Sequence, residues 1–182
     1  HLIKAVARGE FSSGQDVGKQ LGVSRAAISS HVKALVNMGL DIFSVTGKGY
    51  KLAQPLHLLS RHKILLLMSE EVSDANNRLT AEIEVHSMID STNDYLMRRL
   101  PNQLTQGQVC LAEYQCAGRG RRGRQWVSPF GSQIYLSMYW YLEQGLSAAM
   151  GLSVLTALAG SDAVFAVSGI QVQLKWPNDI YI

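Results

Sequence analysis

The sequence predicts a chain of mixed helix and strand in two parts, a small helical module ahead of a larger mixed-sheet segment. Three observations predict it. Residues 12–52 read as helix, tight turn, helix and hairpin. The stretch "AQPLHLLS" (53–60) breaks that pattern with Pro55 and marks a boundary. Beyond it, strand-like alternation (81–88, 107–115, 132–142) is interleaved with helical stretches. With 182 residues, 47% of them apolar, and only four prolines, the chain can pack a core and is not broadly disordered.

The first part is "SSGQDVGKQLGVSRAAISSHVKALVNMGLDIFSVTGKGYKL" (12–52). Ser13 with Asp16 three residues later reads as a capping-box start, and Gly22 stops the helix. Ser24 caps a second helix whose Ile28, Val32 and Leu35 follow i, i+4, i+7. The opposite face carries Arg25, Ser29, Lys33 and Asn37, and Gly39 ends the helix. "LDIFSVTGKGYKL" alternates about the turn Thr46-Gly47-Lys48-Gly49, as a hairpin does. Helix, turn, helix and a two-stranded wing make a winged helix-turn-helix, whose second helix can enter the DNA major groove. Ser24, Arg25, Ser29, Ser30 and Lys33 are the candidate contacts on that helix, and Lys48 at the wing tip would meet a phosphate. A small protein-docking module would carry the same pattern.

Charge supports two anionic partners rather than one. Net charge is only +3, yet residues 1–52 carry seven basic and three acidic side chains. A second cationic island comprises Arg119, Arg121, Arg122 and Arg124, while the remaining stretches are net acidic. Cys110 and Cys116 form no metal-ligand spacing and paired carboxylates are absent, so no protein-held metal is expected. With no signal peptide visible, a reduced, cytoplasmic protein is the simple reading. "LSAAMGLSVLTALAGSDAVFAV" (146–167) is strongly apolar, but a charge such as Asp162 at membrane depth costs roughly 2.5–3.5 kcal/mol, so a buried soluble helix is expected instead.

In the second part, "HKILLLMS" (62–69) reads as a short helix, 70–80 as a polar surface loop and "AEIEVHSM" (81–88) as a strand. In "DSTNDYLMRRL" (90–100), Ser91 with Asp94 is again a capping box, with Tyr95, Leu96 and Leu100 on the apolar side. Such a cap can be only a cap; after a strand, it also exposes N–H and hydroxyl groups able to grip a polar ligand. "GQVCLAEYQ" (107–115) is a strand with Val109, Leu111 and Tyr114 directed inward, and "SQIYLSMYWYL" (132–142) is another, with Ile134, Leu136, Met138 and Trp140 alternating.

Between them lies "AGRGRRGRQW" (117–126), where Gly118, Gly120 and Gly123 fit G-x-G-x-x-G. A dinucleotide fingerprint needs a helix opening at the third glycine. Here Pro129 and Gly131 follow, then a strand, and no Walker G-K-[ST] is present. The stretch is a pliable cationic loop joining two strands. Its glycines allow close approach to a ligand and its arginines offer forked donors for carboxylate or phosphate. An arm for nucleic acid would look similar. Finally, "VQLKWPND" (172–179) delivers Lys175 on a strand, then Asn178 and Asp179 past Pro177; a solvated turn with a salt bridge would use the same residues.

Taken together, "SRAAISSHVKAL", "GKGYKL", "DSTNDYL", "AEYQCAGRGRRGRQWVSPFG" and "KWPND" resemble, in order and spacing, the bifunctional biotin protein ligases that also repress biotin synthesis genes. The resemblance covers essentially the whole chain. It implies an α+β protein: an N-terminal winged helix-turn-helix (1–52), a linker (53–60) and the N-terminal part of a mixed-sheet catalytic domain similar to class II synthetases and lipoate ligases (61–182). It implies that the biotin carboxylate attacks the α-phosphorus of ATP to give biotinyl-5′-AMP, and that a lysine of a biotin carboxyl carrier protein then takes the biotinyl group. Arg119, Arg121, Arg122 and Lys175 are the implied catalytic residues. Biotin would be bound by Ser91, Thr92, Asn93, Gln115, Gly118, Arg119, Gly120 and Arg121, and the adenylate by Arg122, Arg124, Trp126, Lys175 and Asn178. ATP and biotin are substrates, Mg²⁺ travels with ATP, and operator DNA and a homodimer of the adenylate-bound protein are the further partners. The family's next lysine, shortly after K-W-P-N-D, lies beyond Ile182, so the sequence reads as a piece of a longer protein. A DNA-binding regulator without ligase activity, or a lipoate-type ligase, is the competing reading.

Overall fold

The structure is a computed structural model that describes residues 2–6, 10–71, 82–120, 123–124, 126–143, 145–176 and 179–182. It divides into two compact units, His1–Tyr139 and Trp140–Ile182.

The first unit opens with a short helix α1 (Leu2–Val6), too brief to leave a periodic signal. α2 (Gly14–Leu21) starts where the Ser13 hydroxyl accepts the Gln15 N–H at 3.2 Å and stops at Gly22. The cap is therefore a simple serine cap. α3 (Arg25–Asn37) starts where Ser24 accepts the Ala27 N–H at 3.1 Å. Its apolar stripe is the expected one, with Ile28, Val32 and Leu35 all buried. Strands β1 (Ile42–Val45) and β2 (Gly49–Leu52) pair antiparallel as the wing. Ser12 pairs with the other side of β2 as a single antiparallel bridge, exchanging backbone hydrogen bonds with Tyr50 at 2.8 and 2.9 Å. This contact requires glycine at Gly49, where φ is +101° and a Cβ would stand 2.1 Å from the Ser12 carbonyl oxygen.

One apolar cluster holds this module. Leu2, Val6, Val17, Ile28, Val32, Leu35, Leu40 and Leu52 meet Phe130, which arrives from beyond the Gly/Arg loop. The Phe130 N–H donates to the Met38 carbonyl at 3.0 Å, and the Phe130 ring stacks on Tyr114 with centroids 6.3 Å apart. The stretch after the wing packs as well: Leu56 and Leu58 lie against the cluster, and the Leu59 N–H donates to the buried Glu113 carboxylate.

α4 (Arg61–Glu71) is longer than 62–69, so residues 70 and 71 are helical rather than loop; 72–81 lie outside the described residues. A mixed sheet follows in the order β3-β4-β5. β3 (Ile83–His86) pairs parallel with β4 (Val109–Ala112), and β4 pairs antiparallel with β5 (Tyr135–Met138). In β4, Cys110, Leu111 and Ala112 are buried while Val109 is only partly so. In β5 it is Tyr135 that packs inward, whereas Leu136 and Met138 are more than half exposed. Between β3 and β4 sits α5 (Thr92–Met97), six residues where the sequence, capped at Ser91, suggested up to nine (92–100); from Arg98 the chain turns towards Pro101, which cannot continue a helix.

The second unit contains a 3₁₀ turn (Gly145–Ala149), α6 (Leu152–Ser168) and the hairpin β6 (Gln173–Lys175) with β7 (Asp179–Tyr181). The expectation of a buried α6 is corrected here: Ala157 is its one buried residue, and Leu155 and Phe165 are exposed. The small hairpin is the main described partner of α6 within its unit, and it covers one side. β7 itself lies where the sequence suggested a turn. Among the described residues, no helix is long and apolar enough to cross a membrane.

Candidate functional site: the α5 N-terminus and the Gly/Arg loop

β3 and β4 run parallel and then rejoin past their ends. The Ile89 N–H donates to the Tyr114 carbonyl at 3.1 Å, and the Cys116 N–H donates to the Ile89 carbonyl at 2.9 Å. This second contact sets the start of α5 beside the start of the Gly/Arg loop. Ser91 is the N-cap, accepting the Asp94 N–H at 3.3 Å, so the expected cap is present. Thr92 is buried, and both its N–H (2.8 Å) and its hydroxyl (3.1 Å) donate to Gln115 Oε1. With its proton used there, Thr92 Oγ1 accepts from the Ser137 hydroxyl of β5 at 2.8 Å.

This bonding fixes the Gln115 carboxamide: Oε1 faces Thr92, and Nε2 faces the loop. A Cβ on the buried Gly118 would stand 3.1 Å from Gln115 Nε2 and 3.4 Å from both Ser128 Oγ and Trp126 Cβ. Gly118 is thus where the loop backbone closes on the polar cluster. The loop base is itself paired. The Trp126 N–H donates to the Gly118 carbonyl at 3.2 Å, and the Gly120 N–H donates to the Arg124 carbonyl at 2.7 Å. These bonds bring Gly118, Gly120, Arg124 and Trp126 together at the base of the loop.

The arginines divide. Arg119 extends back to Asp94 on α5 and forms an ion pair with it, its side chain two-thirds exposed. Arg124 and Trp126 are exposed at the loop base. Arg121 and Arg122 lie outside the described residues, as does Asn178. Asn93 is exposed on the first turn of α5. Lys175 belongs to the second unit, where its ammonium lies 5.7 Å from the centre of the Tyr181 ring and its register partner is Asp179. Ser91, Thr92, Gln115, Gly118, Arg119 and Gly120 are therefore brought together, and Lys175 is described only within its own unit.

Charge around the site is strongly organised. Arg98 grips Asp90 with two hydrogen bonds of 2.6 and 3.1 Å, and the Ser91 N–H adds a third at 2.8 Å. The Arg98 bond and then the Ser91 N–H hold the Asp90 carboxyl down to about 2. Burial pushes the Cys110 thiol in β4 up to about 11, which keeps it inert. A cavity of about 290 Å³ adjoins the loop exit, lined in part by Gln115, Trp126, Ser128 and, from the winged module, Asn37 and Gly39. Ser128 Oγ is buried there without a hydrogen-bond partner among the described residues. Sequence patterns gave no sign of Ser128, Ser137 or Asp94 as parts of the site; the last was visible only as a cap.

The second cationic region is the exposed face of the winged module. Arg25, Ser30 and Lys33 are exposed on α3, Ser29 is half-buried and Ser24 Oγ accepts the Ala27 N–H as the cap. Lys48 at the wing turn lies 6.0 Å from the Phe11 ring centre. Arg25 shares a polar cavity of about 290 Å³ with Ser13, Gln15, Thr46 and Tyr50, between the start of α2 and the wing. Among the described residues, no cluster of His, Cys, Asp or Glu could hold a metal ion.

Comparison with known proteins accords with both regions. The family described as "Biotin/lipoate A/B protein ligase family" matches residues 85–182, and an "HTH domain" matches residues 2–51. The chain is 46% identical over 181 residues to the bifunctional ligase/repressor BirA of Salmonella typhimurium, covering all of this chain and 53% of that protein. It is 45% identical to the Escherichia coli protein of the same name over an equal span. To the Bacillus spizizenii protein it is 33% identical over 176 residues. The chain spans about half the length of these curated relatives. A helix-turn-helix module followed by a mixed sheet with this loop, matched over more than half the chain, makes it a member of the biotin/lipoate A/B protein ligase family.

Proposed function

We propose that the full-length protein is an ATP-dependent biotin protein ligase, and that its winged module (1–52) binds operator DNA as a biotin-responsive repressor. The observation that carries the ligase reading is the convergence of Thr92, Gln115 and Gly118. A neutral polar ring needs fixed donors and acceptors, and the Thr92–Gln115 pair presents an oriented carboxamide beside Gly118 at the base of the loop. Ser91, Thr92, Asn93, Gln115 and the loop from Gly118 to Arg121 take biotin in this reading. Arg122, Arg124, Trp126, Lys175 and Asn178 take the adenylate.

The chemistry requires cations. The biotin carboxylate attacks the α-phosphorus of ATP, the bond to the bridging oxygen breaks, and pyrophosphate leaves. Two anions must approach, and each oriented donor removed typically costs about 3–4 kcal/mol of barrier. Arg119, Arg121 and Arg122 supply that charge, with Mg²⁺ carried in on the triphosphate as part of the substrate. Arg119 is available for exchange: an exposed ion pair such as that with Asp94 is worth only about 0–1 kcal/mol, so an arriving phosphate can replace the carboxylate. A closed loop also keeps water from the mixed anhydride until a carrier-protein lysine attacks its acyl carbon and releases AMP.

On the DNA side, Arg25, Ser29, Ser30 and Lys33 would face base edges, Ser24 and Lys48 the backbone. A two-fold operator would call for a homodimer. A cytoplasmic location belongs to the same proposal. The test is biotin-dependent exchange of labelled pyrophosphate into ATP by the full-length protein. Exchange with biotin supports the reading. Exchange with lipoate instead moves the protein to the other branch of its family, and DNA binding without any exchange leaves a regulator alone.

A further inference from the structure

Glu84, in β3, has no part in the proposed chemistry, yet three side chains hydrogen-bond its carboxylate and a fourth, His86, brings Nε2 within 3.8 Å of Oε2. The Tyr95 hydroxyl of α5 donates to Oε2 at 2.6 Å. Gln108 Nε2, from the residue just before β4, donates to Oε1 at 2.9 Å, and Arg99, just past α5, donates to the same oxygen. Gln108 is fully buried, and its Oε1 accepts the Thr105 N–H at 3.3 Å. Arg99 also lies 5.3 Å from the Tyr95 ring centre, and His86 meets that ring edge-on at 4.8 Å. One carboxylate therefore ties β3, β4, α5 and the turn after α5 together.

We propose that Glu84 is the positioning residue of the biotin-binding helix. It acts through Tyr95 and Arg99 to set where Thr92 presents its N–H and hydroxyl to Gln115. The inference rests on the ligase reading above. α5 has six residues, well short of the length at which an isolated helix holds its shape in water. It buries only Thr92 and Leu96, so packing alone fixes it weakly. It is held at two levels: Thr92 on Gln115 and Ser137 at its first turn, and Tyr95 with Arg99 on Glu84 one turn later. Releasing the second level frees the helix to tilt about the first. A displacement near 1 Å is enough to misalign a binding group.

The clamp touches none of the residues assigned to the adenylate, and this makes the inference testable. In the full-length protein, pyrophosphate exchange is measured against biotin and against ATP for the parent, Glu84→Ala, Glu84→Gln and Tyr95→Phe, below the melting temperature of each variant. Glu84→Ala is expected to raise the biotin KM about tenfold while the ATP KM and kcat stay within about twofold. Tyr95→Phe, which removes only the hydroxyl and is the variant least apt to unfold the protein, raises the biotin KM about threefold, and Glu84→Gln restores part of the Glu84→Ala loss. Combining Glu84→Ala with Tyr95→Phe adds nothing, because both break one link. Biotin KM values equal to the parent's, biotin and ATP KM values rising together, or additive losses would each overturn the clamp. A parent with no biotin-dependent exchange would overturn the ligase reading instead, and the clamp's assignment with it.

Discussion

Helix α3 runs thirteen residues and seats Ile28, Val32 and Leu35 in an apolar cluster, whereas α5 runs six and is fastened largely by hydrogen bonds to Glu84, Gln115 and Ser137. In the proposed function, α3 faces DNA and α5 faces biotin. Apolar packing is non-directional, so α3 draws its stability from area and tolerates change on its outer face, the face proposed to meet DNA. Hydrogen bonds are directional, so α5 gains little stability per residue but is set in one place relative to Gln115. A surface that reads DNA needs a sturdy platform. A pocket that grips a small polar ring needs fixed donors.

The contrast makes distinct demands on variants. Ile28 is fully buried in the winged core, and Ile28→Ala is expected to destabilise the protein by about 2–5 kcal/mol, read as a fall in the midpoint of thermal unfolding. In the polar region, Gly118→Ala should leave the unfolding midpoint nearly unchanged. Its Cβ would instead press on Gln115 Nε2, weakening biotin binding about 10–100-fold by isothermal titration. Lys33→Ala on the outer face of α3 should weaken operator binding, relax its sequence preference and leave pyrophosphate exchange intact.

The smallest effect separates two carboxylates of the same sheet region. Burial raises the Glu84 pKa, but the hydrogen bonds from Tyr95, Arg99 and Gln108 outweigh it and the net position is below 4.5. For Glu113, burial dominates the single Leu59 N–H, and its pKa lies above 4.5. Ionised Glu84 therefore stabilises the fold at all pH above 4.5, and that contribution is lost as pH falls through its depressed folded value. Glu113 favours the fold in its neutral form, fully so below 4.5, and this is lost as pH rises through its elevated value. Denaturant unfolding at neutral pH should show Glu84→Gln less stable than the parent and Glu113→Gln as stable or more so. Both differences should shrink in acid. The same sign for both would mean that the two environments are misread.

Legibility in the sequence follows the same division. The α3 stripe, the serine caps at Ser13, Ser24 and Ser91 and the wing were readable because apolar periodicity and capping are local signals, although Ser13 caps through Gln15 and not through Asp16. The Gly/Arg loop was readable as a strand-to-strand loop because Pro129 and Gly131 exclude a helix after Gly123. Glu84, Gln108 and Ser137 left no trace, because their partners are 11 to 45 residues away and a polar residue inside a strand looks like solvent-facing alternation. The one hint was Tyr95 with Arg99 at helical spacing i, i+4. α6 shows the opposite failure: its composition promised burial, but burial depends on what packs against it, which composition does not encode.

The ligase proposal depends on Arg119, Arg121 and Arg122 neutralising two anionic reactants, of which biotin is the one placed by the Thr92–Gln115 pair. The deciding measurement is isothermal titration of the full-length protein with biotin, alone and with ATP, followed by quantification of retained biotinyl-AMP, for the parent and for the combined variant Arg119→Ala, Arg121→Ala, Arg122→Ala. Biotin binding weakened by the loss of Arg119 and Arg121 but still measurable, with little or no biotinyl-AMP formed or retained at saturating biotin, is the expected result. A variant that makes and keeps the adenylate as well as the parent does would contradict it.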